Sequence, residues 1–323
     1  MKRLLLVLVA VVAAVAGLFG SALRADDFPS RPITFVAVFG AGSASDTICR
    51  IIGDALGTEL KQSVVVEPRP GADGAIAATY VSRAAPDGYT LLLATNSPLS
   101  AAPFLLKNLS YDPIKSFTPV TRVGSFTLML VVNPNVPINS LAELVSYAKA
   151  NPGKLSFASG NTAGIVAHAT INHWAGTDIV HVPYKTTPPA LQVVMAGRVS
   201  MMLADFTTAS PHVKSGALRA IAVSRIKRSS LFPELPTIDE SGLTGFNLDT
   251  WAGFVAPAGT PPAVVTQLNG ALRKVIDKPD VQAKFRNVGF EGFSSTPEEL
   301  GDFIKVQLAL WGKMIKDAGI GAE

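Results

Sequence analysis

The segment Ile33–Leu60 constrains the fold most, because it places a strand, a loop of small residues and a helix in that order. Residues 33–39 are apolar, β-branched or aromatic, which is typical of a buried strand. Residues 40–45 carry little side-chain bulk, and Ser45 stands where an N-cap belongs. Apolar residues then recur at helical spacing, at Ile48, Ile51, Ile52, Ala55 and Leu56. A glycine-rich loop at a helix start leaves backbone N–H groups free, so this segment predicts an anion-binding site.

The first 25 residues have the pattern of a secretory signal peptide. Basic residues stand at positions 2 and 3, an apolar run covers 4–19, and small residues suited to cleavage follow, so we expect a cut near Ala25 or Ala22. The alternative is that this segment is not cleaved and anchors the protein in the membrane. Cys49 is the only cysteine and lies far beyond the signal, which excludes a lipoprotein, a disulfide within the chain and a cysteine metal site. The pattern predicts a periplasmic protein.

Charge and length narrow the class of protein. The chain has 28 Lys and Arg against 24 Asp and Glu, and removing Lys2, Arg3 and Arg24 with the signal leaves 25 against 24, a net charge of about +1. No basic run interleaved with aromatics indicates a nucleic-acid partner. The 323 residues exceed what one hydrophobic core usually holds, so we expect two domains.

Strands and helices alternate along the rest of the chain. Strands are predicted at residues 89–94, 155–158, 179–184 and 199–204, each followed by a polar turn and a helical pattern. This alternation predicts parallel strands with helices on their faces, in which ligands bind beyond the carboxyl ends of the strands. Those ends carry Gly, Ser, Thr and Asn but few reactive groups. The sequence therefore favours binding over catalysis and indicates no cofactor.

Two apolar strands end in proline-rich turns and are predicted to cross between lobes. They are Leu128–Val132 and Gly253–Val255. The expected lobe one is then 26–132 plus 251–323, and lobe two is 133–250. Two α/β lobes joined by two crossings form a hinged cleft, which is the architecture of periplasmic binding proteins.

Seven motifs, spread over most of the mature chain, follow one another at a recognisable spacing. They occupy residues 29–33, 39–46, 67–74, 84–92, 181–185, 235–237 and 256–261. With them the chain resembles, nearly end to end, the substrate-binding proteins of tripartite tricarboxylate transporters, the Bug family. The resemblance implies a two-lobe periplasmic binding fold of type II, with a mixed sheet flanked by helices in each lobe. It also implies a small carboxylate ligand, a monomer, and delivery to a membrane permease made of one large and one small subunit.

The resemblance places the ligand contacts in loops at the strand ends of both lobes. The predicted contacts are Phe39, Gly40, Ala41, Gly42, Ser43, Ser45, Asp46, Asn96, Ser97, Ser159, Gly160, Asn161, Thr162, Thr186 and Asp205. Gly40 and Ala41 stand where prolines are usual in the family, and a looser loop would cost affinity through lost preorganisation. The loops of lobe two also depart from the family pattern. The ligand's identity therefore stays open among di- and tricarboxylates, acidic amino acids and aromatic carboxylates.

Several of these residues could have a structural role as well as, or instead of, a role in binding. Asp46 could bind a ligand amine or a bridging water, or could favour the helix N-terminus. Asn96 and Asn161, like Ser97 and Thr162, could donate to a ligand or cap helices, or do both. Asp205 could distinguish an amino, hydroxyl or water-bridged group, or serve as a turn residue. The four histidines show no metal-binding spacing.

The same sequence can be compared with the motifs of other functions. A periplasmic ligand sensor of the same fold is an alternative to a transport protein. Gly40-Ala41-Gly42 after a strand imitates a dinucleotide fingerprint, but Ser45 holds the position of its third glycine. Gly42-Ser43-Ala44 lacks the flanks of a hydrolase nucleophile turn. We therefore expect that the protein is not an enzyme.

Overall fold

The computed structural model describes residues 28–229, 232–248 and 250–322. The predicted signal peptide, 1–25, lies outside these residues. The strands are β1 Ile33–Ala37, β2 Val64–Pro68, β3 Thr90–Thr95, β4 Phe117–Phe126, β5 Leu128–Val132, β6 Ser156–Ser159, β7 Val180–Pro183, β8 Met201–Asp205, β9 Arg219–Val223, β10 Thr250–Pro257 and β11 Phe290–Gly292. The helices are α1 Ala44–Leu60, α2 Ala75–Ser82, α3 Ala102–Leu105, α4 Leu141–Ala150, α5 Thr162–Ala175, α6 Thr187–Met195, α7 Phe206–Lys214, α8 Pro262–Ile276, α9 Pro279–Asn287 and α10 Pro297–Asp317.

The first sheet has six strands in the order β11-β4-β10-β3-β1-β2. Its first three strands along the chain pair in parallel, with Thr34 opposite both Val65 and Thr90. β10 is antiparallel to β3 and to β4 and joins the two halves of this sheet. The carboxyl ends of β1 and β3 therefore lie side by side, which brings the loops that follow them to one edge of the sheet.

The second sheet has five strands in the order β7-β6-β8-β5-β9. β6 pairs in parallel with β7 and β8, whereas β5 is antiparallel to β8 and β9. Both sheets are thus mixed, and helices flank them, as the sequence predicts. The loops after β6, β7 and β8 meet at one end of this sheet because those strands run in the same direction.

The strand Leu128–Val132 differs from its expected place. It is β5 of the second sheet, paired with β8 and β9, rather than the last strand of the first lobe. The first crossing therefore falls at Thr127, between β4 and β5, because a single residue joins two strands that pair in different sheets. The return lies between Leu248, whose N–H donates to Ser224 O at 2.9 Å, and the start of β10 at Thr250. In other respects the two-lobe division stays a prediction.

Helix α10 packs against both lobes. Leu300 and Ile304, near its start, belong to a core formed mainly by the first sheet and α2. Trp311 and Ile315, near its end, belong to the core between the second sheet, α4 and α5. The helix therefore connects the two cores on a path separate from the two strand crossings. Among the described residues no helix is both long enough and apolar enough to traverse a lipid bilayer.

The burial of Trp311 leads to a stability prediction. Its side chain is 0% exposed, so Trp311→Ala leaves a large cavity and should lower the free energy of unfolding by about 3–5 kcal/mol. Trp174→Ala is the matched control, because that side chain is 44% exposed and should cost about 1 kcal/mol or less. Urea denaturation followed by circular dichroism measures both. Equal losses for the two variants would contradict the packing of α10 described above.

Candidate functional site

A small cavity lies between the two sheets, at the loops that follow their strands. Its volume is about 20 Å³, which is room for about one water molecule. Residues from both lobes line it: Phe39, Ser43, Ala44, Ser45, Thr95, Asn96, Ser97, Phe126, Asn161, Ala163, Thr187, Asp205 and Thr250. These residues come from seven separate stretches of the chain, and only the tertiary fold places them together.

The loop after β1 is held by its own side chains. Ser43 is the N-cap of α1 and accepts a hydrogen bond from Asp46 N at 3.3 Å, so the expectation of Ser45 as the cap was wrong by two residues. The physical reason is that Ala44 and Ser45 already have helical backbone. Asp46 accepts from Gly42 N at 3.0 Å and from both the Nε and a terminal nitrogen of Arg50. The Asp46 carboxylate therefore fixes the loop, and it does not line the cavity.

The hydroxyl of Ser45 is hydrogen-bonded to the hydroxyl of Ser43. It lies 3.2 Å from the Ser43 hydroxyl, and both side chains are buried at the cavity wall. Because Ser43 Oγ accepts from Asp46 N, the pair of hydroxyls retains a proton that can be donated into the cavity.

The loop after β3 contributes Thr95, Asn96 and Ser97. Ser97 N donates to Thr95 Oγ1 at 3.3 Å, which starts a short π-helical turn over Ser97–Ala101. Asn96 precedes that turn and is 3% exposed, but its side chain makes no capping bond. An amide that lines a cavity without a structural partner is available to donate to a ligand.

The second lobe supplies a hydrogen-bonded chain of three side chains. Asn161 caps α5, its Oδ1 accepting from Gly164 N at 3.0 Å, while its Nδ2 lies 3.5 Å from Thr187 Oγ1. Thr187 Oγ1 in turn donates to Asp205 Oδ2 at 3.1 Å. Thr187 is the first residue of α6, and Asp205 stands immediately before α7. The starts of three helices are therefore connected through their side chains.

The carboxyl of Asp205 is buried at the wall of the cavity. Burial raises the pKa of its carboxyl to about 6, and the hydrogen bond from Thr187 opposes that rise only in part. Among the described residues that line the cavity, Asp205 is the one acidic or basic side chain. A ligand anion would therefore meet no Lys or Arg here, and its charge would be balanced by helix N-termini and neutral donors.

The structure separates the predicted contacts into groups. Seven of them line the cavity: Phe39, Ser43, Ser45, Asn96, Ser97, Asn161 and Asp205. Ala41 and Gly42 are exposed, and Thr162 is fully buried at the first turn of α5. Gly40 and Thr186 meet across the cleft, since a Cβ on Gly40 would lie 3.2 Å from Thr186 Cγ2. Gly160 packs against the backbone of Thr187, and Ser159 lines a different cavity.

Six further residues line the cavity beyond the predicted set. Ala44, Thr95, Ala163 and Thr187 are chain neighbours of predicted contacts, so the same motifs could have indicated them. Phe126 and Thr250 lie at the two crossings between sheets, where Thr250 Oγ1 donates to Phe126 O at 3.2 Å. No local sequence pattern marks those two, because their position depends on long-range strand pairing.

The chemistry of the described residues fits binding by neutral donors. Among them no group of three or more His, Cys, Asp or Glu side chains is placed to hold a metal ion. Cys49 is buried inside α1, and burial raises the pKa of its thiol well above the usual value, so it behaves as a small apolar side chain.

Comparison with known proteins gives consistent matches. The model of the tripartite tricarboxylate transporter family receptor, TctC, matches residues 48–320. BugT of Bordetella pertussis is 33% identical over 323 residues, covering 99% of this chain and 98% of BugT. An R. palustris protein solved with adipate has a TM-score of 0.89 at 31% identity, covering 92% of this chain and 100% of that one. MatC from Rhodopseudomonas palustris, with bound malate, has a TM-score of 0.84 at 30% identity, covering 89% and 100%.

These matches confirm the resemblance that the sequence motifs indicate, and they confirm the fold. The family consists of periplasmic substrate-binding receptors and not of enzymes, which confirms the expectation of a non-enzyme. The chain therefore belongs to the tripartite tricarboxylate transporter receptor family, also known as the Bug family.

Proposed function

We propose that this protein captures a small carboxylate in the periplasm and, as a monomer, delivers it to a membrane permease of one large and one small subunit. The neighbours solved with adipate and malate support a dicarboxylate as the ligand. The family's role as a transporter receptor supports delivery to a permease. The signal-peptide pattern of the first 25 residues supports export.

One observation carries the proposal. Helices α1 and α5 both begin at the wall of one cavity. The first N–H groups of a helix have no partner within the helix, and the helix dipole places partial positive charge beside them. These two helix starts, with the Ser45 hydroxyl and the Asn96 amide beside them, offer an anion neutral donors and no cationic side chain.

The size of the cavity implies movement. A volume of about 20 Å³ holds about one water molecule and not a dicarboxylate. We infer that binding begins on a more open arrangement of the two lobes. We propose that the ligand docks first on the loop after β1 and that lobe two then closes upon it. A ligand shifts this equilibrium only by its greater affinity for the closed form.

The free amide of Asn96 generates a prediction for affinity. Asn96→Asp keeps the shape but adds a negative charge where a carboxylate is expected, so binding of adipate or malate should weaken by at least about tenfold. Asn108→Asp is the matched control, because it adds the same charge on an exposed loop. Isothermal titration calorimetry measures both. If both variants bound these acids as the unmodified protein does, the cavity would not be the anion site.

The close approach of Gly40 and Thr186 generates a prediction for closure. Gly40→Leu places a side chain between the lobes, where an added Cβ would lie 3.2 Å from Thr186 Cγ2. The lobes should therefore stay open when the ligand is present, and the protein should bind the ligand weakly. Thr186→Ala in the same chain should restore part of the affinity by making room. Gly270→Leu, at a helix position with no atom within 4 Å of the added Cβ, is the control. Small-angle scattering with and without ligand measures the compaction. Normal compaction in Gly40→Leu would contradict closure across this contact.

The buried carboxyl of Asp205 generates a prediction for pH dependence. The folded pKa of about 6 exceeds the unfolded value, so the native state binds the proton more tightly and the free energy of unfolding falls as pH rises from about 4 to about 6. Asp205→Asn should remove this slope and stabilise the protein at neutral pH by on the order of 2 kcal/mol. Urea denaturation across this range measures it.

The same group should affect ligand binding. Asp205 is the titratable side chain among the described residues that line the cavity, and when ionised it repels a carboxylate ligand. Adipate should therefore bind several-fold more tightly near pH 6 than near pH 7.5, and Asp205→Asn should abolish the difference. A pH dependence that persists in Asp205→Asn would assign it to another group.

A further inference from the structure

A second cavity, much larger than the first, opens at the seam between the lobes. Its volume is about 520 Å³, which lies within the range of small-molecule sites. Asp73 and Leu106 line it from the side of the first sheet, and Ser159, His168 and His181 line it from the second. Two of the family motifs, 67–74 and 181–185, contribute to its lining, and none of its lining residues lines the first cavity.

Packed backbone separates the two cavities. Ser159 lines the second cavity and Asn161 lines the first, so the partition passes through Gly160. A Cβ added to Gly160 would lie 2.5 Å from both Cα and N of Thr187, so packed backbone fills the space between the cavities at this point. The linings of the two cavities share no residue, so a ligand in the second contacts a different wall.

The wall of the second cavity is built and held in place. The rings of His168 and His181 stack with their centroids 4.9 Å apart and their planes 20° from parallel. His181 Nε2 lies 2.7 Å from Ser159 Oγ, and His168 Nε2 lies 2.6 Å from Ile179 O. A carbonyl only accepts, so His168 Nε2 carries a hydrogen. Hydrogen bonds thus fix both rings, and the wall needs no rearrangement to receive a ligand.

The lining combines a basic end with apolar surface. Lys185 is exposed and makes no ion pair with another residue that the structure describes. Leu105, Ile165 and Ile320 contribute apolar side chains to the same cavity. Burial lowers the pKa of His168, so at neutral pH this imidazole is an uncharged flat surface.

We propose that the second cavity is a separate site for an organic anion with an apolar body, of which an aromatic carboxylate or sulfonate is the simplest form. The anionic group lies toward Lys185, and the apolar body lies between the histidine pair and the aliphatic side chains. The walls come from both lobes, so an occupant contacts both and favours the closed arrangement. By linkage it then raises the affinity of the first cavity for its own ligand.

Fluorescence titration with 1-anilinonaphthalene-8-sulfonate tests the site on the folded, mature protein. Ala169→Phe fills the cavity from α5 and should weaken binding of this probe by at least about tenfold. Lys185→Gln, at an exposed position that cannot disturb the core, should weaken it about three- to tenfold, and Lys154→Gln, an exposed lysine outside the cavity lining, should leave it unchanged. Asn96→Asp in the first cavity should also leave it unchanged.

Each result decides the proposal independently of the carboxylate site. Equal affinity in Lys185→Gln and in the unmodified protein would overturn it, and so would loss of the probe in Asn96→Asp, which would place the probe in the first cavity. The linkage is tested by scattering, in which the saturating probe should lower the radius of gyration of the unmodified protein and leave that of Ala169→Phe unchanged. An unchanged radius in both would overturn the coupling between the sites.

Discussion

The unpaired N–H groups at helix starts are the constraint on which the rest of this structure depends. Helices α1 and α5 each begin after a strand end, and such groups must find a partner in a side chain, in water or in a ligand. Ser43 and Asn161 satisfy part of this requirement as caps. The remaining donors point to one place because parallel strands end at the same edge of each sheet and the two edges face each other. The proposed anion site would thus depend on topology more than on any single side chain.

Charged side chains lie at two places near this site, one behind the first loop and one at the cavity wall. Asp46 and Arg50 form an ion pair behind the first loop, where the carboxylate fixes the loop without reaching the cavity. Asp205, by contrast, reaches the cavity with no cation beside it among the described lining residues. A buried carboxyl of this kind gives the protein a means of rejecting anions that lack a compensating proton or donor, because ionisation of Asp205 and of the ligand oppose each other. Selectivity would then come from repulsion as much as from attraction.

Both cavities lie on the seam between the lobes, and α10 connects the two cores beside it. Arg225, after β9, also pairs with Glu291 of β11 at 2.6 Å, which links the two sheets close to their crossings. Contacts near the crossings can persist while the far edges of the cleft separate, which is how a hinge allows closure around a ligand. Occupancy of either cavity would bias the same equilibrium, so the two sites are coupled without any contact between their ligands.

The sequence by itself determined the class of fold, the family and the composition of the loops. Local periodicity and small polar residues after strands are short-range properties, and together with the family resemblance they indicated seven residues that line the cavity, Asn96, Asn161 and Asp205 among them. Only the tertiary structure decided the rest. In the structure Leu128–Val132 belongs to the second sheet. Its sequence could not predict this, because an apolar strand can pair with the strands of either lobe. The tertiary structure brought Phe126 and Thr250 to the cavity through long-range pairing, and it turned Asp46 away toward Arg50. It also opened the cavity beside His168 and His181, whose spacing in the chain indicates nothing, because packing between distant segments creates voids that no local pattern encodes.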